Sequence, residues 1–214
     1  AVFLATPHFL HYDMTMRALR AGKHVFCEKP LAITAEQAWE MARTARLLHR
    51  KLTCHFNRRQ TVPVKLFRDL IRQGKLGEIY QVNVKWMARY TGFMFSSNSS
   101  WRVSKEKAGG GILIGRGSHM LDAALYLLGN PGVQSVTANI SSRLCGFDVD
   151  DYAMVVLKLD NGAVIHLECS YEANLPGYEE KLEYEILGTK GGARSTVTDG
   201  KSYLGAGYCT FPEN

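Results

Sequence analysis

Glycine is nearly missing from the first sixty residues. Gly22 stands alone there, although the 214-residue chain holds 20 glycines. That excludes a glycine-rich phosphate loop from this stretch, because backbone amides close on phosphate oxygens only where side chains are absent. Long apolar runs are absent too, so no segment has the length of a membrane-crossing helix. The five cysteines, at 27, 54, 145, 169 and 209, are odd in number, widely spaced and form no C-x-x-C. They fit neither a disulfide framework nor a zinc site, and they point to a reducing, cytoplasmic setting. No secretory leader and no initiator Met open the sequence. It starts inside a strand, Ala1-Val2-Phe3-Leu4-Ala5, and reads as a fragment whose start is missing.

What is present supports a sizeable core: 46% of residues are hydrophobic, enough for one large or two small domains. The formal charge is +6 and the isoelectric point about 9.1. Trp39, Arg43, Arg46 and Arg50 share a helical stripe, but it lies opposite a well-formed apolar face, and such charge is ordinarily just solvated. A nucleic-acid surface is therefore not expected. His8, His11 and Asp13 lack a third or fourth partner at metal-binding spacing, so no metal is expected either.

The first sixty residues alternate strand and helix. A strand over 1–5 ends at Thr6-Pro7, and a helix follows over roughly 11–21. A strand at 24–27 ends in Glu28-Lys29-Pro30. Thr34 caps a helix over roughly 35–50, with Gln37 completing a capping box, and Ala38, Met41, Ala42, Ala45 and Leu48 form its apolar face. A third strand covers 52–56. This order predicts half of a doubly wound parallel sheet over residues 1–60. After residue 60 the pattern changes. A short helix near 63–73 should bury Leu66, Phe67, Leu70 and Ile71. Alternating runs follow at 78–90, 133–143, 151–159, 163–171, 181–187 and 193–198, with Asp160-Asn161-Gly162 as a tight hairpin turn. One strong helix interrupts them, at about 111–128. Residues 61–214 thus read as an α+β domain with an open, mostly antiparallel sheet. Gly188-Thr189-Lys190-Gly191-Gly192 lies between two strands and is a hairpin turn, not a P-loop. Asn98-Ser99-Ser100 is a glycosylation sequon without meaning in a reducing compartment.

Two constellations carry chemistry. Glu28-Lys29-Pro30 ends a strand, and in open α/β sheets that edge faces the ligand crevice. The second lies on the 111–128 helix, entered through Gly109-Gly110-Gly111. There Gly115, His119, Asp122 and Tyr126 share one face at i, i+4, i+7 and i+11. His119 and Asp122, one turn apart, form a candidate carboxylate-oriented imidazole for proton transfer. Packing alone is the other reading of that pair.

In order along the chain, Ala5-Thr6-Pro7 with His11, Ala21-Gly22-Lys23-His24-Val25 before Glu28-Lys29-Pro30, Phe56-Asn57-Arg58-Arg59 and Gly74-Lys75-Leu76-Gly77 come first. Trp101-Arg102, the three glycines, Gly117-Ser118-His119 with Asp122, and Gly188-Thr189-Lys190-Gly191 follow. The ordered set resembles the Gfo/Idh/MocA family of NAD(P)-dependent oxidoreductases across nearly the whole chain. The resemblance implies a Rossmann domain followed by an open-sheet domain, with the reaction at their junction. It implies that Lys29 contacts both nicotinamide ribose and substrate hydroxyl, and that His119 exchanges the hydroxyl proton. It further implies that Ala5, Thr6, Pro7, His11, Glu28 and Pro30 line the nicotinamide half of NAD or NADP, and that the Lys29–Pro30 bond is cis. Asn57, Arg102, Asp122 and His119 fall toward the substrate.

The function so implied is hydride transfer between NAD(P) and a hydroxyl-bearing carbon of a sugar or cyclitol. The alternative is a non-catalytic binding or regulatory member of the same fold. The resemblance also implies a homodimer or homotetramer formed through the second sheet, whose uncovered face should carry large apolar side chains. Two departures stand out. The phosphate fingerprint and its ribose-binding acid are missing, so this stretch alone should bind NAD poorly. Gly115 occupies a position where the family usually carries Asp, which leaves Asp122 as the candidate partner of His119.

Overall fold

A computed structural model describes residues 1–89, 101–143, 146–174 and 180–208. The sequon at 98–100 and Cys145 and Cys209 lie outside the described residues. The structure is mixed α/β, with one parallel and one mostly antiparallel sheet. Strands β1 (Val2–Leu4), β2 (Val25–Glu28) and β3 (Leu52–His55) form the parallel sheet in the order 1-2-3. Their register sets Leu4 beside Cys27, Cys27 beside Cys54, and Glu28 beside His55. Helices α1 (His8–Arg20) and α2 (Ala35–Leu47) are the crossovers that parallel strands require. Leu4, Leu19, Val25, Cys27 and Ala45 close one cluster beneath them, and Met16, Ala32 and Met41 another. The alternate residues Phe3 and Phe26 stay exposed and stack on each other with centroids 5.3 Å apart. Strand 24–27 is therefore buried on one face only.

Thr34 caps α2 as expected: its Oγ1 accepts from the Gln37 N–H at 3.2 Å. The reciprocal half of the box does not form, since Gln37 Oε1 is buried without a partner among the described residues. A 3-10 turn (Asn57–Gln60) leads into α3 (Val62–Arg72), which buries Val64, Phe67 and Leu70. Leu66 is 39% exposed, because Val64 takes the inward position predicted for it. Truncating the fully buried Phe67 to alanine would cost about 3–5 kcal/mol.

The second sheet has seven strands: β4 (Ile79–Ala88), β5 (Val133–Ser141), β6 (Tyr152–Leu159), β7 (Val164–Ser170), β8 (Glu180–Gly188), β9 (Gly191–Thr198) and β10 (Lys201–Tyr208). Their order is 10-9-8-4-7-6-5, and only the β4–β7 pair is parallel. The last strand was not foreseen, since a run containing Gly205 and Gly207 lacks β-branched alternation. One face packs on helices around fully buried Trp86, Phe67, Ile112 and Met120. The other face differs from expectation. Across β4, β7, β8 and β9 it is a charged network in which Asn83 Nδ2 donates to Glu185 at 2.8 Å, Lys85 pairs with Glu168 at 2.9 Å, and Arg194 pairs with Glu185. Among large apolar side chains there, Met154 is 43% exposed.

The predicted 111–128 helix forms, helical from Ile112 to Leu127, with a π-type stretch in its first turns. A short helix α4 (Lys105–Ala108) ends at Gly109, a wide π-type turn covers Leu113–Gly117, and α5 (Ser118–Leu127) follows. Asp150 caps the start of this helix. Its carboxylate accepts from the Gly111 and Leu113 N–H groups at 2.6 and 2.8 Å, and its carbonyl accepts from Ile112 N–H at 2.8 Å. A Cβ on Gly111 would overlap the Asp150 backbone, which is why glycine stands there. Among the described residues no helix is long and apolar enough to cross a membrane.

Candidate active site

The carboxyl ends of β1 and β2 open onto the glycine-entered turn, and between them lies a cavity of about 300 Å³. Ala5, Thr6, Glu28, Lys29 and Arg102 line it, all of them singled out in the sequence. His8, Arg116 and Tyr171 line it as well, and none of these was foreseen. The wall brings together residues from both sheets, as ligand sites at strand ends do.

Lys29 reaches across this junction. Its Nζ donates to the Gly115 carbonyl, eighty-six residues along the chain. The peptide between Lys29 and Pro30 is cis. Burial, and then the Arg116 guanidinium, lower the Lys29 pKa to about 8. Glu28 is occupied on both sides: His55 Nδ1 lies 2.7 Å from Oε1, and the Lys29 N–H donates to Oε2 at 3.3 Å. It braces the strand end more than it opens toward the cavity.

His119 sits one turn beyond Gly115, 7% exposed and edge-on to Phe56 at 6.1 Å, outside the cavity lining. Burial first, then the charges of Lys29, Arg58 and Arg116, push its pKa down to about 3. Its Nδ1 is buried with no partner among the described residues. Neutral imidazole is thus the form held beside Lys29 at neutral pH. His8 is treated similarly: burial lowers it to about 4, its Nδ1 lies 2.9 Å from Ala108 O, and Trp101 meets its ring edge-on at 4.6 Å.

Asp122, His11, Asn57, Pro7 and Pro30 lie outside the cavity lining. Asp122 does not orient His119. Its carboxylate takes a bidentate pair from Arg59, Nε at 2.7 Å and Nη2 at 2.5 Å, and Arg59 also lies over the Tyr126 ring at 4.8 Å. An arginine fork matches a carboxylate better than an imidazole edge does. His11 is fully buried behind the cavity, with its ring nitrogens 2.7 and 2.9 Å from the carbonyls of Pro30 and Thr6, so it ties the two strand ends together. Asn57 is exposed at the start of the 3-10 turn, and neither it nor Pro7 or Pro30 lines the cavity. Asp122→Asn should consequently act on stability more than on turnover. We expect a loss of about 1–2 kcal/mol, read as a fall of a few degrees in Tm. The kcat of the full-length protein should fall less than tenfold; a loss of about a hundredfold at unchanged Tm would return Asp122 to the proton path.

Residues 1–56 match the oxidoreductase family with an NAD-binding Rossmann fold, and residues 64–194 match the Gfo/Idh/MocA C-terminal domain. The chain belongs to the Gfo/Idh/MocA family. Gfo/Idh/MocA relatives include D-glucoside 3-dehydrogenase of Escherichia coli (strain K12), 36% identical over 208 residues that cover 90% of this chain and 57% of that protein. The scyllo-inositol 2-dehydrogenase (NADP(+)) IolW of Bacillus subtilis (strain 168) is 34% identical, covering 83% and 48%. Among solved structures, levoglucosan dehydrogenase in complex with NADH and levoglucosan superposes with a TM-score of 0.82 at 29% identity, covering 97% of this chain and 60% of that one. The chain spans about half the length of the curated relatives it matches.

The residues present fit the nicotinamide end of the family's cofactor. Thr6 Oγ1, on the cavity wall, is buried with no partner among the described residues, and a buried hydroxyl left so is ready for a ligand. The cavity volume suits a nicotinamide and a small ring, not a whole dinucleotide.

Proposed function

We propose that the full-length protein transfers hydride between NAD or NADP and a hydroxyl-bearing carbon of a sugar or cyclitol. The observation that carries this reading is the meeting of Lys29 with the turn that leads into His119, at the mouth of a cavity with an unsatisfied Thr6 hydroxyl. A bound nicotinamide would supply the hydride acceptor or donor. Lys29, protonated below about pH 8, stabilises negative charge on the substrate oxygen. His119, neutral at physiological pH, takes the hydroxyl proton in oxidation and returns it in reduction. Arg102, stacked over Trp101 at 4.3 Å, offers a planar donor set to a polyhydroxylated ligand.

We place residues 1–60 in the dinucleotide-binding domain and 61–214 in the substrate domain. Two distinct sheets, each with its own core cluster, support that division. A cytoplasmic setting accords with unpaired Cys27, Cys54 and Cys169. A homodimer or homotetramer through the uncovered sheet face would set its alternating charges and Met154 against a second copy, and a strictly monomeric full-length protein in sedimentation would contradict it. The catalytic reading is tested by steady-state assays of the full-length protein on aldoses, anhydrosugars and inositols with each cofactor. Turnover on at least one, abolished when Lys29 is replaced, is expected. No turnover on any would favour the binding-only alternative.

A further inference from the structure

Tyr171 is the cavity residue that no motif accounts for. It follows the last residue of β7, is 4% exposed, and meets Trp86 edge-on with centroids 6.0 Å apart. Its backbone N–H donates to Asp151 O at 2.9 Å. The ring is therefore fixed, and its hydroxyl points at Gly115. A Cβ built on Gly115 would overlap that oxygen, yet would stand 3.5 Å from the ring carbon bearing it, an ordinary contact. On its other side Gly115 gives its carbonyl to Lys29 Nζ. Lys29 and Tyr171 thus converge on one residue that has no side chain, and both line the cavity.

The hydroxyl bonds to no described residue, so it remains available to a ligand. Burial holds the phenol well above its ordinary pKa, which keeps the O–H as both donor and acceptor. A substrate oxygen that approaches Lys29 enters the reach of a group able to bond a neighbouring hydroxyl on the same ring. We propose that Tyr171 is a substrate-contacting residue: its hydroxyl occupies the volume left open at Gly115 and hydrogen-bonds a ligand hydroxyl beside Lys29. Positions 115 and 171 act as one unit. Any side chain at 115 displaces the phenol, and the phenol is of use only because 115 is bare. This rests on the dehydrogenase reading of the same cavity. It also means that the acid the family usually carries at 115 would not be tolerated here, since Gly115→Asp places its Cβ on the Tyr171 oxygen.

The test has a packing arm and a binding arm, both in the full-length protein. Gly115→Ala should lower Tm by about 4 °C or more in the parent, and by less than half of that in a Tyr171→Phe background, where only the 3.5 Å ring contact remains. Equal losses in both backgrounds would overturn the coupling. For binding, scyllo-inositol and levoglucosan are titrated into the NADH-loaded protein. Tyr171→Phe should weaken binding of at least one probe by about three- to tenfold, with the Kd for NADH unchanged. Unchanged affinity for both probes, a loss confined to NADH, or failure of the wild type to bind either probe would overturn the contact. Probe binding that depends on Tyr171 in a protein that turns over no sugar would instead uphold the contact and defeat the dehydrogenase reading.

Discussion

Replacing Lys29 with methionine in the full-length protein should lower kcat by about 10³-fold, with far smaller changes in Tm and in NADH affinity. The ammonium reaches across the two sheets and can offset charge on a departing or arriving alkoxide, and removal of such a donor typically costs about 10²–10³-fold. Methionine keeps the length of the side chain, so packing against the turn survives. The charge also dictates a pH signature. The folded-state pKa of about 8 lies below the ordinary lysine value of 10.5, so activity that needs the ammonium declines as pH rises through 8. Linkage runs the other way for stability: between about 8 and 10.5 the unfolded chain binds the proton more tightly, and Lys29 makes stability rise with pH. The methionine variant should lose both trends together. A variant with more than a tenth of wild-type kcat would remove Lys29 from the chemistry.

His119→Asn is the second large effect. It should cost about 10²–10⁴-fold in kcat through loss of the proton acceptor, with a far smaller change in the Kd for NADH. The acid side of the stability curve changes as well. A buried neutral imidazole with a pKa of about 3, against 6.5 for the ordinary side chain, loses stability as pH falls through that interval. Asparagine has no proton to gain, so the variant should resist mild acid better than its parent relative to its own neutral-pH stability. His8, lowered to about 4 for the same reason, contributes in parallel, so the improvement is partial. An unchanged acid profile would mean that the His119 ring is not held neutral by burial.

Much of this fold could be read from periodicity. Strand–helix alternation up to residue 60, the Asp160–Gly162 hairpin and six of the seven strands of the second sheet all follow from local pattern. What escaped was set by distant partners. The cap of the 111–128 helix is invisible locally, because it is Asp150, whose carboxylate takes amides almost forty residues earlier. Asp122 has the right helical spacing for His119, yet Arg59, sixty-three residues away, offers it a better fit. In the site, Lys29 and Arg102 announce themselves through motif neighbours. Tyr171 does not, because it ends a strand as one more aromatic residue, and only the fold brings it against Gly115. Its one signal in the sequence was indirect: a glycine inside a helical pattern, which asks for a close neighbour.

The central claim is hydride transfer in this cavity, and isotope transfer tests it most directly. The full-length protein is incubated with NAD or NADP and a sugar or cyclitol carrying deuterium on its carbinol carbons, and the nicotinamide is then examined by mass and NMR. The account predicts one deuterium on the reduced nicotinamide ring, on a single face, and none with Lys29→Met. Unlabelled cofactor with every sugar and cyclitol tried, from a protein that binds NADH with ordinary affinity, would contradict it.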